Sequence, residues 1–167
     1  PLHVKAKAHS RGWQFTELRD LSGFTIRLSD FGAVRPEKGA GYMVVRTGSL
    51  ENAVHEYAHR LQSALPELDA LFQDLHRQRT QGEMLESLRA LTGIKYSPSE
   101  VTRKDKYVNP YQGKEYPGRG ALEVMTMAFE AILGGGTTPD TRQFREIYTK
   151  DRELVEFVVG LLFYWKP

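Results

Sequence analysis

His55-Glu56-Tyr57-Ala58-His59 reads H-E-x-x-H, and the residues around it have helical spacing. On a helix, side chains four apart share a face, so the imidazoles of His55 and His59 can converge on one metal ion. Glu56, one step round, can then reach a water on that ion. Outward from the pentapeptide, Leu50, Ala53, Val54, Tyr57, Ala58 and Leu61 recur at helical intervals and form an apolar face. Ser49 is a suitable N-cap. Pro66 favours a break near Ala64-Leu65. The motif therefore lies in mid-helix, where a metal site needs it. A solvated helical face with polar i,i+4 pairs is the plain alternative, and the flanking apolar periodicity speaks against it.

With 167 residues the chain fits a single domain, 1–167, long enough for a real hydrophobic core. The net charge of +2 is small and the two signs are interspersed. No basic stripe or Arg-rich arm is present, which disfavours nucleic-acid binding. No segment is apolar enough to span a bilayer; the nearest, Phe157 to Trp165, is too short and contains Gly160. There are no cysteines. That fits a reducing compartment and excludes thiolate ligands and Cys nucleophiles, so any zinc must be held by His and carboxylate. The chain opens at Pro1 with no initiator Met and no signal peptide, and reads as a processed product or a domain excised from a longer protein.

The pattern predicts an α+β fold with a small N-terminal β-sheet, a helix carrying the two histidines and a mostly helical C-terminal half. Trp13 to Leu18, Phe24 to Leu28 and Tyr42 to Arg46 are strand candidates, with Leu21-Ser22-Gly23 a turn and Phe31 to Ala40 a loop. After Pro66, Leu65, Leu68, Leu71, Phe72 and Leu75 form an amphipathic stripe. Met84, Leu85, Leu88 and Leu91 suggest a further helix ending near Gly93. His76 reads as a surface histidine. Ile94 to Gly120 is a polar, Tyr-rich hairpin or ordered loop, and Arg103-Lys104-Asp105-Lys106 within it reads as a solvated face. Leu122 to Leu133 is a strong helix with Leu122, Met125, Phe129, Ile132 and Leu133 towards the core and Glu123, Thr126, Met127 and Glu130 on a second face. Gly134-Gly135-Gly136 stops it, and Thr138-Pro139 restarts a helix. Asp151 to Tyr164 forms the last helix, apolar along Leu154, Val155, Val158, Leu161 and Leu162, and must pack on the domain or on a partner.

Two histidines leave zinc short of the usual three protein ligands. Glu123, Glu130, His76, His3 and His9 are the candidates. Glu123 leads, because an ionised carboxylate in a largely apolar helix needs a partner. Glu130, two turns on, is placed to orient an imidazole through its far ring nitrogen. Glu123 could instead point to solvent near the helix start, where a carboxylate suits the dipole.

The chain resembles zincin peptidases of the gluzincin type. More narrowly, it resembles metallopeptidase domains found with phage minor head (head morphogenesis) proteins, and more distantly the catalytic domain of anthrax lethal factor. The resembling pieces are His55 to His59, Asn109-Pro110-Tyr111-Gln112-Gly113-Lys114-Glu115-Tyr116, and Glu123 to Glu130. The resemblance implies that His55, His59 and Glu123 bind Zn2+ and that Glu56 is the general base. In the lethal-factor group a tyrosine seven residues before the glutamate ligand helps stabilise the oxyanion, and Tyr116 holds that position here. That group also carries a carboxylate one turn after the ligand, where this chain has Met127.

The implied activity is zinc-dependent endopeptidase cleavage by a metal-activated water, with Glu56 as base and Tyr116, or failing that Tyr111, donating to the oxyanion. A strand leading into the histidine helix suits such a role, because an exposed strand edge can hold a substrate backbone. The expected partners are a protein or peptide substrate and other phage or parent-chain domains, with no nucleic acid and no membrane, in a cytoplasmic or virion-associated location. Two alternatives stay open: a non-catalytic, zinc-stabilised structural module of a phage particle, and a toxin-type protease domain with the same chemistry.

Overall fold

The computed structural model of the protein describes residues 49–134 and 143–164 in full, and the backbone alone of residues 141–142 and of four strands nearer the N-terminus. Those strands, β1 (His3–His9), β2 (Gly12–Arg19), β3 (Thr25–Ser29) and β4 (Tyr42–Arg46), form a mixed sheet in the order β1-β2-β3-β4. β1/β2 and β2/β3 are antiparallel, whereas β3/β4 is parallel, with Thr25 opposite Tyr42 and Ser29 opposite Arg46. Strands were expected at the last three of these places. β1 was not, although Val4, Ala6 and Ala8 alternate with polar residues at a period of two.

α1 (Leu50–Ala64) follows β4 closely. Ser49 caps it by accepting from the Asn52 N–H at 3.2 Å. The chain breaks at Leu65, and α2 (Pro66–Arg79) opens with proline, whose missing N–H is no loss in a first turn. A second, antiparallel sheet follows, built from β5 (Glu86–Ser87), β6 (Val101–Thr102), β7 (Lys114–Tyr116) and β8 (Gly120–Ala121). The short α3 (Leu88–Thr92) lies between β5 and β6, stopped by Gly93 in the left-handed conformation at φ 72°. α4 (Glu123–Leu133), α5 (Thr141–Lys150) and α6 (Arg152–Tyr164) complete an α+β fold. Among the described residues no helix is long and apolar enough to cross a membrane.

The core gathers residues from α1, α2, α4 and α6. Phe72 is fully buried and meets Phe129 and Phe157 edge-on, at centroid distances of 5.9 and 5.2 Å. Burial of one such ring contributes about 1.5–3 kcal/mol. Ala58 in α1 and Ala128 in α4 are both wholly buried in the same cluster. Small side chains there let two helices approach closely, which matters because α1 and α4 carry the polar groups described below.

Several expectations are corrected. Leu50 and Tyr57, assigned to the buried face of α1, are 58% and 51% exposed. α1 instead buries Glu56 and Gln62 beside Ala58, because α4 offers its histidine-bearing side polar partners. Leu71, Leu133 and Leu162 are also exposed, although Leu68, Phe72, Leu75, Met125, Phe129, Leu154, Val155 and Val158 are buried as expected. The helix expected around Met84 is reduced to α3, since Glu86 and Ser87 pair with β6 and leave Met84 and Leu85 in solvent. The solvated reading of residues 103–106 fails at two positions: Asp105 is tied to Arg79, and Arg103 to Glu115. The turn at Leu21, the loop from Phe31 and the restart at Thr138-Pro139 lie outside the described residues.

His76 is the clearest correction, at 4% exposure. Both ring nitrogens are engaged, Nδ1 with the Tyr107 hydroxyl at 3.0 Å and Nε2 with Glu115 at 3.3 Å, and the ring stacks on Tyr107. Burial lowers its pKa below the ordinary 6.5, and this outweighs the opposing pull of Glu115. The folded chain therefore binds this proton less readily than the unfolded chain does. Stability tied to His76 is full above pH 6.5 and is lost as the pH falls from there through the folded-state pKa. The urea midpoint of the parent is expected to decline over that range more than that of His76→Gln. Parallel declines would show that the ring is not buried neutral.

Candidate metal centre

Two helices build the site. α1 presents His55, Glu56 and His59 on consecutive turns, and α4 begins with Glu123 and presents Glu130 two turns later. Glu123 is only 2% exposed, yet its carboxylate is surrounded by partners. Oε2 lies 3.3 Å from His55 Nε2, 3.7 Å from His59 Nε2 and accepts from the Thr126 hydroxyl at 2.9 Å. Oε1 accepts from the Tyr116 hydroxyl.

The δ nitrogens of the two imidazoles are turned away. His55 Nδ1 meets Glu130 Oε2 at 2.8 Å, and His59 Nδ1 meets Gln62 Oε1 at 3.0 Å. Gln62 is held in turn by the Leu122 carbonyl and Asp69, at 3.0 and 3.1 Å. A carboxylate or amide on the back nitrogen fixes the ring and presents the other nitrogen to a ligand. One donor atom from each of His55, His59 and Glu123 lies within 4.8 Å of the others, so the three could hold a metal ion.

Electrostatics follow from this crowding. Burial raises Glu123, but the hydrogen bond to His55 and the neighbouring His59 and Tyr116 outweigh it and hold its carboxyl down at about 2. Burial lowers His55, but Glu123 and Glu130 together push it up to about 10. His59 has no second carboxylate, and burial keeps it below its ordinary value, helped by the charges of His55 and Arg119. Burial also pushes Glu56 up to about 7, against the pull of His55. Glu56 is 6% exposed, and among the described residues its Oε2 has no hydrogen-bond partner. A buried polar atom without a partner is costly, and it marks where a small polar molecule would be received.

The structure thus brings together Glu56, His55, His59, Glu123 and Tyr116, with Glu130 behind His55. Met127, one turn after Glu123, brings no carboxylate, and the one that meets His55 from α4 besides Glu123 is Glu130. His76 lies on the separate Tyr107–Glu115 network, and the side chains of His3 and His9 lie outside the described residues. Three supporting residues were given no role by the sequence, although Thr126 was placed on the face of Glu123. Gln62 sits three residues after His59, a spacing that places it on the same face. Thr126 sits three after Glu123 by the same rule. Lys114, whose Nζ lies 4.6 Å from the Tyr116 ring centre and 2.6 Å from Glu100, has no local signal at all. No family model, no curated protein and no solved structure matches the chain.

Proposed function

We propose that the chain is a zinc-dependent endopeptidase with a zincin-like fold, in which His55, His59 and Glu123 hold the ion. The observation that carries this reading is the direction of the donors: two Nε2 atoms and one carboxylate oxygen face each other, while both back nitrogens are tied to the scaffold. Two imidazoles and a carboxylate suit zinc and leave a fourth position open. Ligand atoms about 2.0–2.1 Å from a tetrahedral ion stand about 3.4 Å apart, near the observed 3.3 and 3.7 Å separations.

Bound there, the ion would supply Lewis acidity, lowering the pKa of a water and polarising the scissile carbonyl. Glu56 receives the proton of the attacking water and returns it to the leaving amine. Its burial and its unpartnered oxygen suit that task. The Tyr116 hydroxyl, which donates to Glu123 Oε1 at rest, would turn its one proton to the developing oxyanion, with Tyr111 as the alternative donor. Among the described strands β4 stands last in its sheet, and it leads towards α1, so an extended peptide adding to its outer edge would run beside the histidine helix.

A zinc-stabilised module without turnover is the second reading. The unpartnered Glu56 oxygen weighs against it, because a structural ion has no use for a buried base. The resemblance to phage head-associated domains sets the proposed context, a protein or peptide substrate met within a larger protein or particle; a toxin-type protease would use the same residues.

The test is elemental analysis of protein purified without chelator or metal-affinity resin. About one zinc per chain is expected, and none in a His55→Ala/His59→Ala variant. Glu130→Ala should retain the site but weaken zinc about 10–100-fold. A parent protein that contains no zinc and takes up none when it is supplied would overturn the reading.

A further inference from the structure

Beside the metal-capable group lies an open cleft of about 350 Å³, bounded by Leu85, Val101, Glu115, Tyr116 and Arg119. Tyr116 is shared with the site, since its hydroxyl reaches Glu123. The cleft's one carboxylate, Glu115, is already met by Arg103 at 2.7 Å and His76 at 3.3 Å. Arg119 is different. It is exposed, and among the described residues no carboxylate or other acceptor takes its guanidinium. Its charge still reaches His59.

The backbone that carries Arg119 is held firmly. Tyr116-Pro117-Gly118-Arg119 closes a turn, with the Arg119 N–H donating to the Tyr116 carbonyl at 2.9 Å. Proline in second place and glycine in third, at φ 71°, are what a type II turn requires. Two residues on, the Gln73 side-chain amide pairs with both backbone groups of Ala121, at 3.1 and 3.0 Å. One end of the hairpin is thus fixed at Glu123 and the other at α2. A guanidinium is a planar fork matched to a carboxylate, and a fixed base reduces the freedom lost when it binds one.

We propose that Arg119 makes this cleft a carboxylate-recognition subsite, so that favoured peptides place there an acidic side chain or their own C-terminal carboxylate. The assignment rests on the peptidase reading for its context and deepens it by naming a substrate class. Leu85 and Val101 give the stem of such a residue an apolar wall, and Arg119 takes its charge.

The test measures binding as well as cleavage. Fluorescent peptides of matched length would be bound to Glu56→Gln protein loaded with zinc, and cleaved by the parent. One set carries internal Glu or Gln with an amidated C-terminus; the other is neutral, with a free or amidated C-terminus. A preference of about tenfold for the carboxylate member of one set is expected in both readouts. The set that shows it identifies the source. Arg119→Gln should abolish the preference, Arg119→Lys should retain part of it, and Arg119→Glu should favour Lys-containing peptides. Carboxylate-selective binding without any cleavage would support the subsite and sink the peptidase reading. Cleavage with no carboxylate preference, or a preference that survives in Arg119→Gln, would overturn the subsite and leave the peptidase standing. Neither binding nor cleavage would overturn both.

Discussion

Glutamine in place of Glu56 is expected to leave zinc uptake intact and to slow peptide hydrolysis by roughly 10²–10⁴-fold. The substitution is nearly isosteric, so the packing of α1 against α4 should not change. Glu56 points its Oε2 into a buried space with no partner, and the three donor atoms that could hold an ion belong to other residues. An amide cannot take up the proton of an attacking water, and it has none to give back in an acid–base cycle. The loss should therefore fall on kcat, with KM nearly unchanged, because Glu56 is assigned no part in binding the peptide. The resting fold should be no less stable, since a neutral amide costs less to bury than an ionised carboxylate. Cleavage of a quenched fluorescent peptide, with zinc content measured on the same sample, decides the matter. Parent-like turnover would remove Glu56 from the mechanism, and loss of zinc would show that it had served the ion directly.

The largest expected effect on stability lies elsewhere. Asp151→Ala should cost about 3–5 kcal/mol, read as a lowered urea midpoint at unchanged slope. Arg79 at the end of α2 is nearly buried, and it gives two parallel hydrogen bonds to Asp151 at 2.9 and 3.0 Å and a third to Asp105 at 2.6 Å. Its guanidinium carbon also lies 4.5 Å from the centre of the Tyr107 ring. Removing Asp151 leaves a desolvated cation with Asp105 as its one buried carboxylate, since Glu153, 3.9 Å away, is exposed. It also removes the cap of α6, where Asp151 Oδ1 accepts from the Leu154 N–H at 3.3 Å. Asp151→Asn separates the two effects, because an amide can still cap the helix but cannot balance the charge. It should fall between the parent and Asp151→Ala. A loss below about 1 kcal/mol in Asp151→Ala would mean the pair behaves like a solvated surface contact.

What could be read from the residue order was local. Ser49, the break before Pro66 and the i,i+4 histidines were legible because capping, proline sterics and helical periodicity act between near neighbours. So was the presence of an apolar helix from Leu122 with Glu123 as a carboxylate in need of a partner, although the exposure of its far end was not: Leu133 faces water. The buried side of α1 was misread for a related reason. Apolar periodicity marks Leu50 and Tyr57, but burial follows whichever face meets a complementary surface, and α4 meets the polar one.

Helical periodicity alone puts His55 and His59 on one helical face with Glu56 beside them, and Glu123 and Glu130 on another. It could not determine that these faces meet. His55 and Glu130 are 75 residues apart, and their 2.8 Å contact exists only because the core closes α1 on α4. The same holds for Arg79 with Asp105 and Asp151, at separations of 26 and 72 residues, and for His76 with Glu115. In each case the charge pattern of the chain is compatible with a solvated side chain. Only tertiary packing, by removing water from both partners at once, converts that side chain into a buried and obligatory pair.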